Sequence, residues 1–272
     1  MPRASFRFYA ELGDFLPPDG RGVTFVHEFH DHPSVKDVIE SLGVPHTEVD
    51  LVLADGESVD FSWRLRDGAR VSVYPVFESI DVAPVTRVRP APLREVRFVV
   101  DGHLGRLARY LRMLGLDVSF RPKAPDEELA RIAAGERRIL LTRDAGLLKR
   151  RLVTHGYRVR ESSPRNQLAE VVRRLDLARA IAPFTRCLVC NDLLERVRKD
   201  DVLHELPPRV REGQRTFRRC PSCRRVYWPG SHHRRMERLV TEVTAALSGG
   251  DPAGSGTNPA SSPSRSVTGS TT

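Results

Sequence analysis

From residue 95 onward, short apolar runs alternate with stretches of helical periodicity. The run 96–101 ends in Asp101, and Leu104, Leu107, Ala108, Leu111 and Leu114 then mark one face of a helix that Gly115 stops. A short strand at 118–120, a helix over 126–134, a strand at 139–142 and a helix over roughly 145–153 follow. A strand at 157–160 leads to a helix running to about 180, with Ser163 as N-cap and Pro164 in its first turn. Strands alternating with helices predict a parallel sheet with right-handed crossovers. Before residue 81 the pattern is different. Strands are predicted at 5–9, 23–26, 49–53 and 71–77, with one helix whose stripe is Val35, Val38, Ile39 and Leu42, capped by Ser34 and closed by Gly43. Asp55-Gly56 and Asp67-Gly68 mark turns.

Pro84, Pro90 and Pro92 lie in a stretch, 82–94, with little apolar patterning, which predicts a semi-rigid linker. A cysteine-bearing segment spans about 184–235, and 236–247 is a final amphipathic helix. The residues from 248 to 272 are almost wholly Gly, Ser, Thr and Pro with few apolar positions, the composition of a disordered tail. The expected division is therefore 1–81, linker 82–94, 95–182, 183–247 and tail 248–272.

Charge sharpens this picture. The net formal charge is +9, yet residues 1–80 carry 7 Lys/Arg against 14 Asp/Glu, while the remainder carries 37 against 21. An acidic first domain precedes a strongly basic remainder, which suits a polyanionic partner such as nucleic acid. The alternative is compositional bias, since only four of the 44 basic residues are Lys. No run approaches the roughly 18 apolar residues of a membrane span, and the first residues lack the apolar core of a signal peptide. A cytoplasmic protein without a membrane partner is expected.

The run 139–144, like 96–101, ends in an aspartate. Open parallel sheets bind ligands beyond the carboxyl ends of their strands, so Asp101 and Asp144 can converge there, and an acid of the Asp126-Glu127-Glu128 helix start can join them. Asp126 is the preferred third member. Several carboxylates at one point suit Mg²⁺ or Mn²⁺ and a phosphate substrate. Either aspartate taken alone also reads as a plain helix N-cap. Arg106, Arg109 and Arg112 at i, i+3, i+6, with Arg143, Lys149 and Arg150 around the third strand, are candidate phosphate contacts, or else a solvated face. His103 is left out of the catalytic set as a first-turn residue.

Cys187-Leu188-Val189-Cys190 and Cys220-Pro221-Ser222-Cys223 are separated by 29 residues. Four thiolates in two short loops predict a closed tetrahedral structural Zn²⁺ site, with a hairpin or loop around 205–213 filling the gap. Tyr227 and Trp228 follow the second pair, placed either to stack on unpaired bases or to pack over the metal loops. His232 reads as a turn residue.

Two resemblances follow. The order strand–strand–helix–strand–strand in 1–81 resembles the β-grasp of the ubiquitin-like sulfur carriers. Their terminal Gly-Gly is missing, since the last strand continues into Pro75-Val76-Phe77-Glu78-Ser79-Ile80-Asp81, so a docking or regulatory role toward a protein partner is expected. The stretch from Phe98-Val99-Val100-Asp101-Gly102-His103-Leu104-Gly105 to Leu114-Gly115, followed by Asp126-Glu127-Glu128-Leu129, Ile139-Leu140-Leu141-Thr142-Arg143-Asp144 and the cysteine pairs, resembles the PIN-like ribonuclease domain at the C-terminus of the Mut-seven exonuclease. The resemblance covers about 95–240. It implies an α/β PIN-like parallel-sheet domain with a zinc ribbon, metal-dependent RNA cleavage, and Asp101, Asp126 and Asp144 as the acidic set. A non-catalytic RNA- or ribosome-associated binding module is the alternative. PIN nucleases commonly carry a fourth acid, for which Asp117 and Glu161 are the weak candidates.

Overall fold

A computed structural model describes residues 1–75, 84–88 and 95–248 of the 272-residue chain, without the side chains of 232 and 246–248. The expected tail from 249 onward and most of the linker lie outside these residues, while 248, expected in the tail, is described. The first sheet holds β1 (Arg3–Phe8), β2 (Thr24–Glu28), β3 (Val49–Ala54), β4 (Glu57–Ser58) and β5 (Arg70–Pro75) in the order β2-β1-β5-β3-β4. β1 and β5 run parallel and the other pairs antiparallel. Alternation along β1 sends Ala4, Phe6 and Phe8 inward, where they meet Val35, Val38 and Ile39 of α1 (Val35–Ser41). The Ser34 hydroxyl caps α1 by accepting from the Asp37 N–H. Asp55 and Gly56 both take positive φ, the geometry of the tightest hairpin turn, and so create β4, a short strand absent from the sequence reading. In the expected linker, Val88 is buried in this first core and Thr86 donates to the Asp50 carbonyl.

The second sheet is wholly parallel, in the order β7-β6-β8-β9. Its strands are β6 (Arg97–Val100), β7 (Asp117–Phe120), β8 (Ile139–Thr142) and β9 (Gly156–Arg158). Both faces are covered, as continuous apolar strands demand. Phe98, Val100 and Leu141 face α2 (Gly105–Met113) and α5 (Pro164–Arg174). Val99 and Leu140 face α3 (Asp126–Gly135) and α4 (Ala145–Leu148). Two helices are shorter than their periodicity suggested. α4 is a single turn, because the chain turns after Lys149 to bury Val153 in the second of these cores. α5 ends before Asp176, which adopts a left-handed conformation (φ 44°) and starts a separate 3₁₀ turn at Leu177–Ala180.

Gly115 (φ +86°) ends α2 where the chain must pass close to the entry of the cysteine segment. A Cβ there would sit 2.0 Å from the Ala182 carbonyl oxygen. Gly115→Ala is therefore expected to cost roughly 3 kcal/mol, from left-handed strain plus the backbone clash. Denaturant unfolding reads this directly, and a change below about 1 kcal/mol would contradict it.

The cysteine segment forms a small antiparallel sheet from β10 (Glu195–Val197), β11 (Phe217–Arg219) and β12 (Val226–Tyr227). The gap between the cysteine pairs is helical where a hairpin or loop was expected. α6 (Lys199–Val202) and α7 (Pro208–Gly213) bring Val202 and Leu206 onto Phe217, giving the segment an apolar core of its own. α8 (Ser231–Ser248) starts earlier than expected and buries Leu239 and Val243 in the main core beside α5. Among the described residues no helix is long and apolar enough to cross a membrane.

The acidic and basic halves meet in a polar seam. Buried Glu48 accepts from the Arg158 N–H on the free edge of β9 and from the Arg160 guanidinium; Glu11 pairs with Arg174. Burial pushes the Glu48 carboxyl up, against the pull of Arg160 and the Arg158 N–H. His46 bonds Glu40 through Nδ1 (2.6 Å) and the Val153 carbonyl through Nε2 (2.8 Å). The Lys149 ammonium donates to the Glu40 carbonyl at 2.8 Å. Lys149, expected to meet phosphate, is thus engaged by the first domain.

Candidate active site and four-cysteine centre

Parallel pairing sets the carboxyl ends of β6 and β8 side by side, so Asp101 and Thr142 are neighbours across strands. Thr142 is fully buried, and its hydroxyl donates to Asp101 Oδ2 at 2.7 Å. The Thr142 hydroxyl oxygen in turn accepts the Asp144 N–H at 3.0 Å. One threonine therefore links both strand-end aspartates. Asp101 Oδ1 accepts the His103 N–H at 3.3 Å, and Asp144 Oδ1 accepts the Gly146 N–H at 2.7 Å. Both acids do cap helical turns, as the plainer reading held, and Asp144 keeps Oδ2 without a hydrogen bond among the described residues.

Asp126 opens α3, where Arg150 lies 3.6 Å from its Oδ2. Close packing ties this helix start to Asp101: a Cβ on Gly102 would fall 2.4 Å from the Pro122 carbonyl oxygen, so the 121–125 loop crosses directly over the turn after β6. The donor set is hard oxygen, the kind Mg²⁺ and Mn²⁺ take. The three carboxylates are not drawn tightly together, however. Among the described residues the four cysteines are the metal-ligating cluster whose donor atoms all lie within 4.8 Å of one another.

The two candidates for a fourth acid lie at opposite ends of the sheet. Asp117 opens β7 at the end away from Asp101 and Asp144, bound to Arg138 (2.6 Å) and the Asn191 amide (2.9 Å). Burial raises its carboxyl, but those partners outweigh burial and hold it below the usual range. Glu161 is an exposed residue beyond β9 that accepts from Asn166.

Of the arginines, Arg106, Arg109, Arg143 and Arg150 are exposed. Arg112 is not: 5% of its surface remains accessible, and it donates to the carbonyls of Val118 and Val189. The reason is angular. At 100° per residue, three and six positions along a helix do not share one face, so Arg112 turns from Arg106 toward β7 and the first cysteine loop. Its expected phosphate contact is replaced by a structural one.

The two cysteine loops are built alike. The Asn191 N–H bonds the Cys187 carbonyl and the Arg224 N–H bonds the Cys220 carbonyl, while Cys187 and Cys220 donate to the carbonyls of Asp192 and Arg225. Asn191 (φ 77°) and Arg224 (φ 63°) both take left-handed backbone to complete these loops. The cysteines are unbridged, with Cys187 and Cys223 sulfurs 3.5 Å apart and those of Cys190 and Cys220 3.2 Å apart. A tetrahedral ion with bonds of about 2.3 Å holds sulfurs roughly 3.8 Å apart, so the donor set fits zinc. Burial raises the Cys187 thiol, but backbone N–H groups and the Tyr227 hydroxyl (3.1 Å) more than offset this and bring it to about 6. Burial pushes the other three thiols up. The Tyr227 phenol is raised well above its ordinary value by burial and by Cys187.

Thr142 and Asn191 are the residues the sequence reading passed over. Thr142 carried a signal, a hydroxyl at the end of an otherwise aliphatic strand. Asn191, whose side chain also accepts the Val118 N–H on the edge of β7, carried none beyond following a cysteine.

An all-parallel α/β sheet with acids at its carboxyl ends, closed by a four-cysteine ribbon and preceded by a ubiquitin-like sheet, defines a PIN-like protein with an N-terminal β-grasp domain. Residues 96–240 match the Mut7-C RNAse domain and residues 1–81 the Mut7-C ubiquitin domain. The first match spans more than half of the chain, which belongs to the Mut7-C RNAse domain family. No curated protein and no solved structure gives a significant match.

Proposed function

We propose that this chain is a Mg²⁺- or Mn²⁺-dependent ribonuclease, acting in the cytoplasm, where paired thiols stay reduced and available to Zn²⁺. The observation that carries the reading is the buried Thr142 hydroxyl tying Asp101 to the Asp144 backbone at adjacent strand ends, inside the RNase family match. Asp101, Asp126 and Asp144 are the residues that would hold the ion. When bound, it would supply activation of water and charge neutralisation at the leaving oxygen. Thr142 fixes the Asp101 carboxylate. Arg106, Arg109, Arg143 and Arg150 offer exposed cations for RNA phosphates, while Arg112 and Lys149 serve the fold. The β-grasp domain docks against the chain's own basic half, and a separate protein partner for it is a further reading open to pull-down. The test is cleavage of tRNA, rRNA and unstructured RNA by zinc-loaded protein with and without added Mn²⁺. Turnover only with Mn²⁺ supports the reading, and turnover indifferent to it would refute metal dependence.

Thr142→Val removes the hydroxyl but keeps the shape. Cleavage is expected to fall about 10–100-fold, the usual loss when a partner orienting a metal ligand is removed. Stability should drop by about 1 kcal/mol as the part-buried Asp144 N–H loses its acceptor. Unchanged kcat in a folded variant would remove Thr142 from the site.

One observation favours the rival reading, a non-catalytic RNA- or ribosome-associated module: the three carboxylates are not gathered within 4.8 Å. That protein would bind RNA equally with and without Mg²⁺ and never turn over.

A further inference from the structure

Between the cysteine ribbon and the start of α8 lies a cleft of about 280 Å³ that neither the acidic site nor the metal ligands use. Three aromatic rings, Phe184, Tyr227 and Trp228, line it together with Leu188 and Met236. The walls are held in place from behind. The Tyr227 hydroxyl is fixed between the Cys187 sulfur and the Leu188 N–H. Trp228 also packs against the small core of Val202, Leu206 and Phe217. The His233 ring rests 4.2 Å from that of Phe184.

Charge selects the occupant. Arg218 lines the cleft and donates one N–H to the Phe184 carbonyl at 3.0 Å; its other donors have no partner among the described residues. In the same segment Arg215, Arg224, Arg225, Arg234 and Arg235 are exposed, and residues 183–247 carry 14 Lys/Arg against 8 Asp/Glu. An apolar, aromatic slot within a cationic segment suits a planar ring attached to an anionic chain. Its volume lies just below the roughly 300 Å³ at which pockets for drug-sized ligands begin, which suits a single base.

We propose that this cleft is a subsite for one unstacked nucleobase of single-stranded RNA, with Trp228 and Tyr227 as stacking walls and Arg218 on the adjoining phosphate or base edge. The proposal rests on RNA being the partner, as argued above, and adds that the RNA is read single-stranded, at a site built around the cysteine ribbon. It also gives the metal centre a purpose beyond folding, since Cys187 orients the Tyr227 wall.

The chain holds two tryptophans, so Trp63→Phe leaves Trp228 as the only indole reporter. Zinc-loaded Trp63→Phe protein is titrated, without added Mg²⁺ or Mn²⁺, with a short single-stranded RNA, with the duplex of the same sequence, and with heparin as a polyanion without bases. Quenching of Trp228 by the single strand, and little by duplex or heparin, is the expected result. Trp228→Ala should weaken single-strand binding roughly tenfold, the scale of one lost base stack, and Trp228→Phe should restore most of it. Because Trp228→Ala also touches the small core, Phe184→Leu is the second variant, expected to weaken binding in the same sense.

Equal quenching by duplex or heparin would overturn the subsite, as would tight RNA binding with no quenching. So would a folded Trp228→Ala protein of unchanged affinity. Selective quenching without any cleavage keeps the subsite and refutes the nuclease; Mn²⁺-dependent cleavage without quenching does the reverse.

Discussion

Replacing Cys220 by serine is expected to empty the four-cysteine centre and unfold the ribbon around it. Structural zinc contributes an apparent binding free energy of about 10–16 kcal/mol in small modules, most of it folding free energy. Little else here could compensate. Within the ribbon, the fully apolar core consists of Val202, Leu206 and Phe217, and β12 is two residues long. Serine preserves size but offers no thiolate, and three remaining sulfurs leave the shell open. Metal analysis should fall from one zinc per chain to nearly none, and limited proteolysis should cut within 183–230 while sparing both larger sheets. The damage should also spread inward by a defined route. Arg112 bonds the Val189 carbonyl, and Asn191 holds both Val118 and Asp117, so the β7 edge of the parallel sheet loses its cover when the first loop comes apart. Hydrogen exchange at Val118 should therefore rise in the serine variant. A Cys220→Ser protein with unchanged zinc content and unchanged protease resistance would mean that the cysteines hold no ion.

The parts of this architecture legible in the sequence are those determined locally. The β8 strand falls on 139–142 as its apolar run dictates, Ser34 and Ser163 cap their helices, and Gly43 and Gly115 stop theirs in left-handed geometry. The parts that were not legible depend on contacts distant in sequence. Nothing near Lys149 announces that α4 must end after one turn; the chain leaves the helix to bury Val153 and to reach Glu40 across the domain seam. Asp176 breaks the last helix of the sheet domain in a conformation that sequence reading assigns to Gly or Asn. The helical insertion between the cysteine pairs looked like a loop because α6 and α7 are too short for periodicity to register.

The candidate site divides along the same line. Strand ends and spacing placed Asp101 and Asp144 together, because in a parallel sheet adjacent strands present equivalent ends. Thr142 stayed hidden because its role is a cross-strand hydrogen bond. Arg112 and Lys149 were misread for the opposite reason. Positive charge in a basic segment suggests phosphate, but one arginine faces backbone carbonyls and the lysine faces the acidic domain. The acidic excess of residues 1–80 is likewise spent partly within the chain, where Glu48 and Glu11 meet Arg160 and Arg174.

The double substitution Asp101→Asn/Asp144→Asn is expected to abolish RNA cleavage while leaving the protein folded. The two effects separate because each aspartate does two jobs. As N-caps they accept from the His103 and Gly146 N–H groups, and asparagine caps a helix about as well as aspartate. With its single oxygen on the His103 N–H, the asparagine at 101 presents its NH₂ to the Thr142 hydroxyl, which must turn from donor to acceptor, so stability should fall by about 1–2 kcal/mol with the protein still folded. As metal ligands, by contrast, the two amides lose both negative charges at the sheet end. Lewis-acid stabilisation is worth several kcal/mol, and at about 1.36 kcal/mol per decade its loss predicts a fall of roughly 10³-fold or more. Raising Mn²⁺ should not rescue the double variant, whereas Asp126→Asn, whose carboxylate is shared with Arg150 at 3.6 Å, should lose less and regain part of its rate. If the double variant still cleaved at a comparable rate, the acids would be caps alone. Cleavage would then have to come from elsewhere on the basic half, and the Thr142 link would be a device for joining two strands.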